Sequence, residues 1–244
     1  MMTKLPPHHD DPRRSRADGA QSRERLLLAA MRLFAEQGYA RTSTREIALA
    51  ASTNVASIAY YFGDKAGLYR AAFGAEVSCS ANDVRTVGDP DAPLRDVLRA
   101  FYTIMLDQLK QGDRARLCMR LWWREMLEPT GLWDEKIDNG IKPVHAELVT
   151  ILSRHLGVSE PGDDVRRLAF NVVGLAVQLM VTRDVIDSIS PQLLSTAQAV
   201  DLWIERIADY GEAMVNVERV RLAHAAGAAS PAAPIKKTTR KKTA

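Results

Sequence analysis

Residues 43–65 read STREIALAASTNVASIAYYFGDK. The stretch opens on Ser43-Thr44-Arg45-Glu46, an S-x-x-E spacing followed by apolar Ile47 and Ala48. At that spacing the serine hydroxyl accepts from a backbone N–H of the first turn while the glutamate reaches back to the serine N–H. The pattern therefore predicts a short helix from Thr44 to about Ala51. Ser52-Thr53-Asn54 makes a tight connection, and Asn54 is a good N-cap for a second short helix, Val55 to Tyr61. Gly63-Asp64 breaks it. Asp64 caps a further helix that begins at Lys65 and carries Leu68, Tyr69, Ala72, Phe73 and Glu76 onward. Upstream, Leu26, Leu27, Ala30, Leu33 and Phe34 recur at helical spacing, and Gly38 stands where a left-handed C-cap belongs, so a first helix spans roughly 21–37. Two short helices joined by about three residues and braced by a longer one make a helix-turn-helix.

The stretch RERLLLAAMRLFAEQGYARTSTREIALAASTNVASIAYYFGDKAGLYRAAF resembles the DNA-binding domain of the TetR family of transcriptional regulators over its whole length. The resemblance rests on Leu33-Phe34 before Gly38-Tyr39, Thr42-Ser43-Thr44, Ile47-Ala48, Ile58, the aromatic run through Phe62, and Lys65 followed by Leu68-Tyr69. Two positions depart from the family pattern. The turn carries Ser52 where Gly is usual, which is tolerable if the position need not hold φ > 0. The last aromatic position of the recognition helix carries Tyr61 where His is frequent, which keeps a polar tip.

The resemblance implies that the second short helix enters the major groove, with Val55, Ala56 and Ser57 nearest the bases. That set is poor in the long polar side chains that form bidentate base contacts, so thymine-methyl contacts and Arg45 carry more of the reading. Thr44, Tyr60, Tyr61 and Lys65 are then expected at phosphates, which position the protein without reading sequence. Ile47, Ala48, Ile58, Phe62 and Phe34 are the expected core of this unit.

The rest of the chain shows no strand pattern and no repeat. Helices are expected over Leu94–Leu109, Arg116–Leu127, Pro143 to Gly157, Gly162 to Ser188 and Gln192 to Val220. The expected fold is all-α: an N-terminal three-helix helix-turn-helix domain (20–66) and a C-terminal helical ligand-binding and dimerisation bundle (67–222). These lie between a disordered arm (1–19) and a disordered basic tail (223–244). The segment LWWREMLEPTGLWDEKIDNGIKPVHAEL looks like the CecR-like branch of the family, whose members tend to sit beside genes for multidrug exporters. That likeness implies an apo dimer on a palindromic operator, released when a small hydrophobic effector moves the helix that starts at Lys65. Control by a protein partner, or no effector at all, is the alternative.

Effector-pocket candidates are Phe101, Met105, Met119, Trp122, Trp123 and Met126, with Asn171 and Gln178 as polar members; Arg120, Arg124, Glu125 and His145 are further polar candidates. The helix DDVRRLAFNVVGLAVQLMVTRDVI is apolar nearly all round, so it is expected to be buried on two sides. Leu168, Val172, Leu175 and Leu179, with Trp203, Ile207 and Tyr210 of the last helix, are the expected homodimer contacts.

Composition bounds the alternatives. Residues 1–75 carry 11 Lys or Arg against 7 Asp or Glu, residues 231–244 carry 5 against none, and the intervening chain 17 against 23. Basic ends around an acidic middle hint at a polyanion partner. The two cysteines, Cys79 and Cys118, fit a reducing cytoplasm and argue against a disulfide framework or a zinc site. No secretory signal or membrane-spanning run is visible, and no metal or other cofactor is expected. An enzyme would need a nucleophile with a base; Cys118 with His145 is the one conceivable pair, and no third member is evident.

Overall fold

The computed structural model describes residues 12–74 and 81–229. These form α1 (Pro12–Gln37), α2 (Thr44–Ala50), α3 (Val55–Phe62), α4 (Lys65–Phe73), α5 (Ala81–Val87), α6 (Leu94–Leu106), α7 (Asp113–Leu127), α8 (Leu132–Lys136), α9 (Lys142–Leu156), α10 (Asp163–Val181), α11 (Arg183–Ile189) and α12 (Ala197–Ala229). No strand occurs among the described residues.

Several boundaries differ from the sequence reading. Helix α1 begins at Pro12, so residues 12–19 are helical rather than part of an arm. Proline suits a first helical turn, and residues 13–25 contain no proline or β-branched residue to interrupt the helix beyond it. Helix α12 runs on to Ala229 through an alanine-rich stretch, so residues 223–229 belong to it. Residues 1–11 and 230–244, like Glu76 and Cys79, lie outside the described residues. The long helix expected over Gly162–Ser188 is two helices meeting at 61°. At the break, the Thr182 hydroxyl donates to the Gln178 carbonyl at 2.7 Å, a back-bond that competes with the regular ladder. Among the described residues no single helix is long and apolar enough to cross a membrane.

Two hydrophobic cores form. The larger joins α6, α9, α10 and α12 around Phe101, Tyr102, Leu148, Leu152, Val172, Ile204 and Ala208. Helices α6 and α12 cross closely where Gly211 meets Tyr102: a Cβ at Gly211 would sit 2.9 Å from the tyrosine oxygen. Tyr102 in turn donates to the Val172 carbonyl at 2.9 Å, tying α6 to α10.

The smaller core joins Leu26, Met31 and Phe34 of α1 to Ile47, Ile58, Leu68, Tyr69 and Phe73, and also takes Cys118 and Leu121 from α7. A boundary at 66/67 would therefore cut the hydrophobic unit through α4. Phe62, expected inside, is only partly buried against this core. The Arg23 guanidinium lies 5.1 Å from its ring centre.

The burial pattern also revises the expected subunit contacts. Leu168, Val172, Leu179 and Ile207 are each at most 5% exposed and packed inside one chain, so they are core and not contact residues. Leu175 and Trp203 pack partly against the same core, while Tyr210 is 53% exposed.

Candidate nucleic-acid interface and adjoining cavity

Local caps hold the two short helices. Glu46 N–H donates to Ser43 Oγ at 3.2 Å, and Ser43 N–H donates to Glu46 Oε2 at 2.8 Å. These bonds from Ser43 hold the Glu46 carboxyl below its ordinary range. Asn54 Oδ1 accepts from Ala56 N–H at 2.9 Å, and Asp64 Oδ1 from Gly67 N–H at 2.7 Å.

The turn between α2 and α3 closes through Thr53 N–H to the Ala48 carbonyl (2.9 Å) and Ser52 N–H to the Leu49 carbonyl (3.0 Å). This nested pair requires a left-handed residue at its centre. Ser52 fills that place with φ of 51°, alone among the described non-glycine residues in having positive φ. The position does need φ > 0, and serine holds it under strain.

The outward face of this unit carries Arg45, Val55, Ala56 and Tyr60 in the open, with Tyr60 82% exposed. Thr44, Ser57, Tyr61 and Lys65 are half-buried beside them. Ile58 points inward. The aromatic run therefore divides. Tyr60 stands free, whereas Tyr61 leans on the core with its hydroxyl near the backbone of Gly19. Its ring meets Tyr60 edge-on at 4.8 Å. Lys65 Nζ rests 4.4 Å from the Tyr39 ring centre, so its position is set by a cation–π contact that the sequence reading did not assign. Leu49, 81% exposed at the end of α2, is a second unassigned residue on this unit.

Behind this unit, α7 presents two faces. Cys118, Leu121 and Glu125, spaced i, i+3, i+7, enter the α1–α4 side. Met119, Trp122, Trp123 and Met126, spaced i, i+3, i+4, i+7, line a cavity of about 300 Å³. Its other walls are Ile104, Met105 and Gln108 before α7, Trp133, Lys136, Gly140, Ile141 and Val144 after it, and Val173, Val177 and Met180 of α10. A single π-helical turn, Ile137–Ile141, supplies Gly140 and Ile141 to that wall. Five of the eight expected pocket residues lie here. Phe101 does not: it is 1% exposed within the α6–α12 core. Asn171 and Gln178 do not either; they face outward from α10. His145 stacks on Phe170 at 4.1 Å, and burial lowers its pKa, helped by Arg166. Cys118 faces the α1–α4 core instead, on the other side of α7 from the cavity.

Several side chains join α7 to the outer unit, among them Arg114, which pairs with Glu24 of α1 at 2.6 Å. Tyr69 donates to Glu125 Oε2 at 2.6 Å, with both groups buried. Burial and this bond push the tyrosine pKa well up. Glu125 also accepts from Thr130 N–H at 2.8 Å and Thr130 Oγ at 3.0 Å. Trp122 Nε1 donates to the Phe73 carbonyl, the last residue of α4, at 3.4 Å. Arg124 donates to the Ala35 and Glu36 carbonyls at 3.2 and 3.1 Å, satisfying acceptors that the end of α1 leaves open. Helix α4 ends at Phe73 with Gly74 as its C-cap, and among the described residues it packs laterally on α7. Among the described residues no cluster of three or more His, Cys, Asp or Glu could hold a metal ion.

Residues 26–72 match "Bacterial regulatory proteins, tetR family", and residues 94–216 match "HTH-type transcriptional dual regulator CecR, C-terminal domain". The dual regulator CecR of Shigella flexneri is 31% identical over 57% of this chain and 66% of its own length. The regulator AcrR of the same organism is 29% identical over 45% of this chain and 51% of its own. The alignments thus span between about half and two thirds of these relatives. Among solved structures, NalD, the secondary repressor of the MexAB-OprM multidrug efflux pump in Pseudomonas aeruginosa, superposes with a TM-score of 0.53 over 81% of this chain and 98% of its own, at 19% identity. At that identity the likeness speaks for the fold alone. These relatives are transcriptional regulators and not enzymes.

Proposed function

Because the chain belongs to the TetR family of bacterial regulatory proteins, we propose that it is a ligand-released repressor that binds a palindromic operator as a homodimer in the cytoplasm. The observation that carries this reading is α7. One helix closes the core of the helix-turn-helix unit with Cys118 and Leu121 and walls a cavity with Met119, Trp122 and Trp123. A ligand that displaces Trp122 acts on the Phe73 carbonyl at the end of α4 without a further intermediary. The concave and mostly apolar cavity favours a small hydrophobic effector over a protein partner.

On the operator, Val55, Ala56 and Ser57 meet base edges, Arg45 reaches into the groove, and Thr44, Tyr60, Tyr61 and Lys65 hold phosphates. The second subunit docks on the outward faces of α10 and α12. Phe170, Asn171, Gly174 and Gln178 stand on the first, and Leu202, Tyr210, Val217 and Val220 on the second, all exposed in the single chain. Two-fold pairing of such a face predicts half-sites one helical turn, or a multiple of it, apart. The likeness to the CecR-like branch, whose members tend to sit beside genes for multidrug exporters, makes a multidrug exporter operon the first target to examine.

The test is footprinting of the purified protein on its own upstream region and neighbouring promoters, with and without exporter substrates. Protection of a palindrome that disappears with one compound is the expected result. Absence of any protected palindrome removes the operator part, and protection indifferent to every compound removes the effector part.

A further inference from the structure

The effector itself is constrained by polar atoms that the cavity leaves unanswered. A second, smaller hollow of about 50 Å³ adjoins the main one, and Gln108, Met119, Trp123 and Met180 line both. Its remaining walls include Arg116, Arg120, Arg183 and Asp184. Among the described residues, four buried side-chain nitrogens or oxygens have no hydrogen-bond partner, and three of them gather here: Trp123 Nε1, Arg116 Nε and Arg183 Nε. Buried polar atoms are almost always paired, so three together mark a place where a partner belongs.

All three are donors and none can accept. A ligand that brings its own donors, such as an alkylammonium, cannot answer them; an oxyanion can. The charges agree. Arg116 is anchored to Asp187 at 2.5 Å and lies 3.8 Å from Asp184, while Arg183 Nε itself stands 3.5 Å from Asp187 Oδ2, near enough for an ion pair but without a hydrogen bond. Arg120 lies 3.9 Å from Asp184. Three guanidinium groups thus share two carboxylates and leave positive charge in excess.

We propose that the effector is an amphipathic anion whose apolar body fills the Met- and Trp-lined cavity and whose carboxylate or similar oxyanion head lies at Trp123, Arg116 and Arg183. This rests on reading the cavity as the effector site. Charge-assisted bonds to a bound oxyanion are stronger than neutral ones, so the head discriminates while the body supplies most of the burial.

Two dyes with one aromatic body test it: anilinonaphthalene sulfonate and its uncharged parent, N-phenylnaphthylamine, titrated into the full chain with dye fluorescence as the signal. The sulfonate is expected to bind about tenfold more tightly, the equivalent of one charged hydrogen bond. Trp123→Phe and Arg116→Gln should each erase most of that difference and leave the uncharged dye where it was. Equal affinity for the two dyes, or variants that weaken both alike, overturns the proposal. Met119→Trp, which fills the junction of the two hollows, separates this from the underlying reading. If both dyes bind that variant unchanged, or if neither dye binds the parent chain, the cavity is not the effector site at all.

Discussion

Replacing Tyr69 by phenylalanine tests whether the helix-turn-helix unit and the larger bundle are joined through one buried bond. Tyr69 is 3% exposed and Glu125 0%, so once the hydroxyl is gone the carboxyl cannot turn to water. A hydrogen bond to a charged group contributes about 1.5–3 kcal/mol. Thr130 still donates to the same carboxyl at 2.8 and 3.0 Å, so the expected loss is near the lower end, about 2 kcal/mol. The ring itself keeps its contacts to Phe34 and Tyr39, both 4.9 Å away centre to centre, so packing is not the variable. All four tryptophans, at 122, 123, 133 and 203, lie outside the first 75 residues. Trp122 and Trp133 also pack against the helix-turn-helix core, whereas Trp203 packs on the larger one, so urea unfolding is followed in a background that keeps Trp203 alone: its fluorescence reports the larger bundle, while far-ultraviolet circular dichroism reports both units. In the parent chain the two signals should fall together; in Tyr69→Phe the dichroism should gain an earlier phase. A shift smaller than about 0.5 kcal/mol, the level of a neutral surface change, or coincident signals in the variant would refute the joint role.

Four further outcomes are expected. Ser52→Gly relieves the left-handed strain but loosens the unfolded chain, for a net gain of about 0.5–1 kcal/mol, visible as a higher melting temperature with operator affinity unchanged. Lys65→Gln should weaken binding to all DNA sequences alike and lower the slope of log affinity against log salt by about 1, as loss of one phosphate contact requires. Phe170→Glu combined with Tyr210→Glu should halve the mass in light scattering and abolish binding to the full palindrome, while circular dichroism stays helical. Finally, burial holds the His145 pKa below its ordinary value, so the unfolded chain takes up the proton more readily. Its contribution is present above about pH 6.5 and lost as the pH falls below it. His145→Gln should flatten that part of the stability profile, measured by melting temperature against pH.

The legible parts of the fold are those whose cause is local. Ser43 with Glu46, Asn54, and Asp64 each cap the next helix because the bonds involved span at most three residues. The faces of α10 were not legible in the same way. Its apolar residues run round most of the helix, so periodicity announced burial on two sides without saying which side met which neighbour. Leu168, Val172 and Leu179 were interchangeable in sequence with residues that face outward, and only the packing of α6 and α12 decides between them. Phe101 failed as a pocket residue for the same reason: a helical stripe states that a side chain is covered and not by what. The conformation of Ser52 was not legible either, because positive φ is a property of the closed turn, where Thr53 reaches Ala48, and serine gives no warning of it.

Helix α7 shows where a polar residue carries more information than an apolar one. In RLCMRLWWREML the apolar positions cannot be divided by pattern, since residues 118 and 121 serve one unit, 119, 123 and 126 line the cavity, and 122 touches both. The polar residues are selective. A buried carboxyl needs donors, and Glu125 lies where Tyr69 and Thr130 provide them. A guanidinium seeks open carbonyls, and Arg124 lies where α1 ends. Trp123 carries an indole N–H into a region where no protein acceptor meets it. Each of these groups restricts the helix to one rotation about its axis, because any other would strand a charge or a donor in apolar surroundings. The same restriction makes α7 suited to a switch. A ligand that satisfies Trp123 or shifts Trp122 cannot rotate the helix without disturbing the Glu125 and Arg124 contacts that hold α4 and α1.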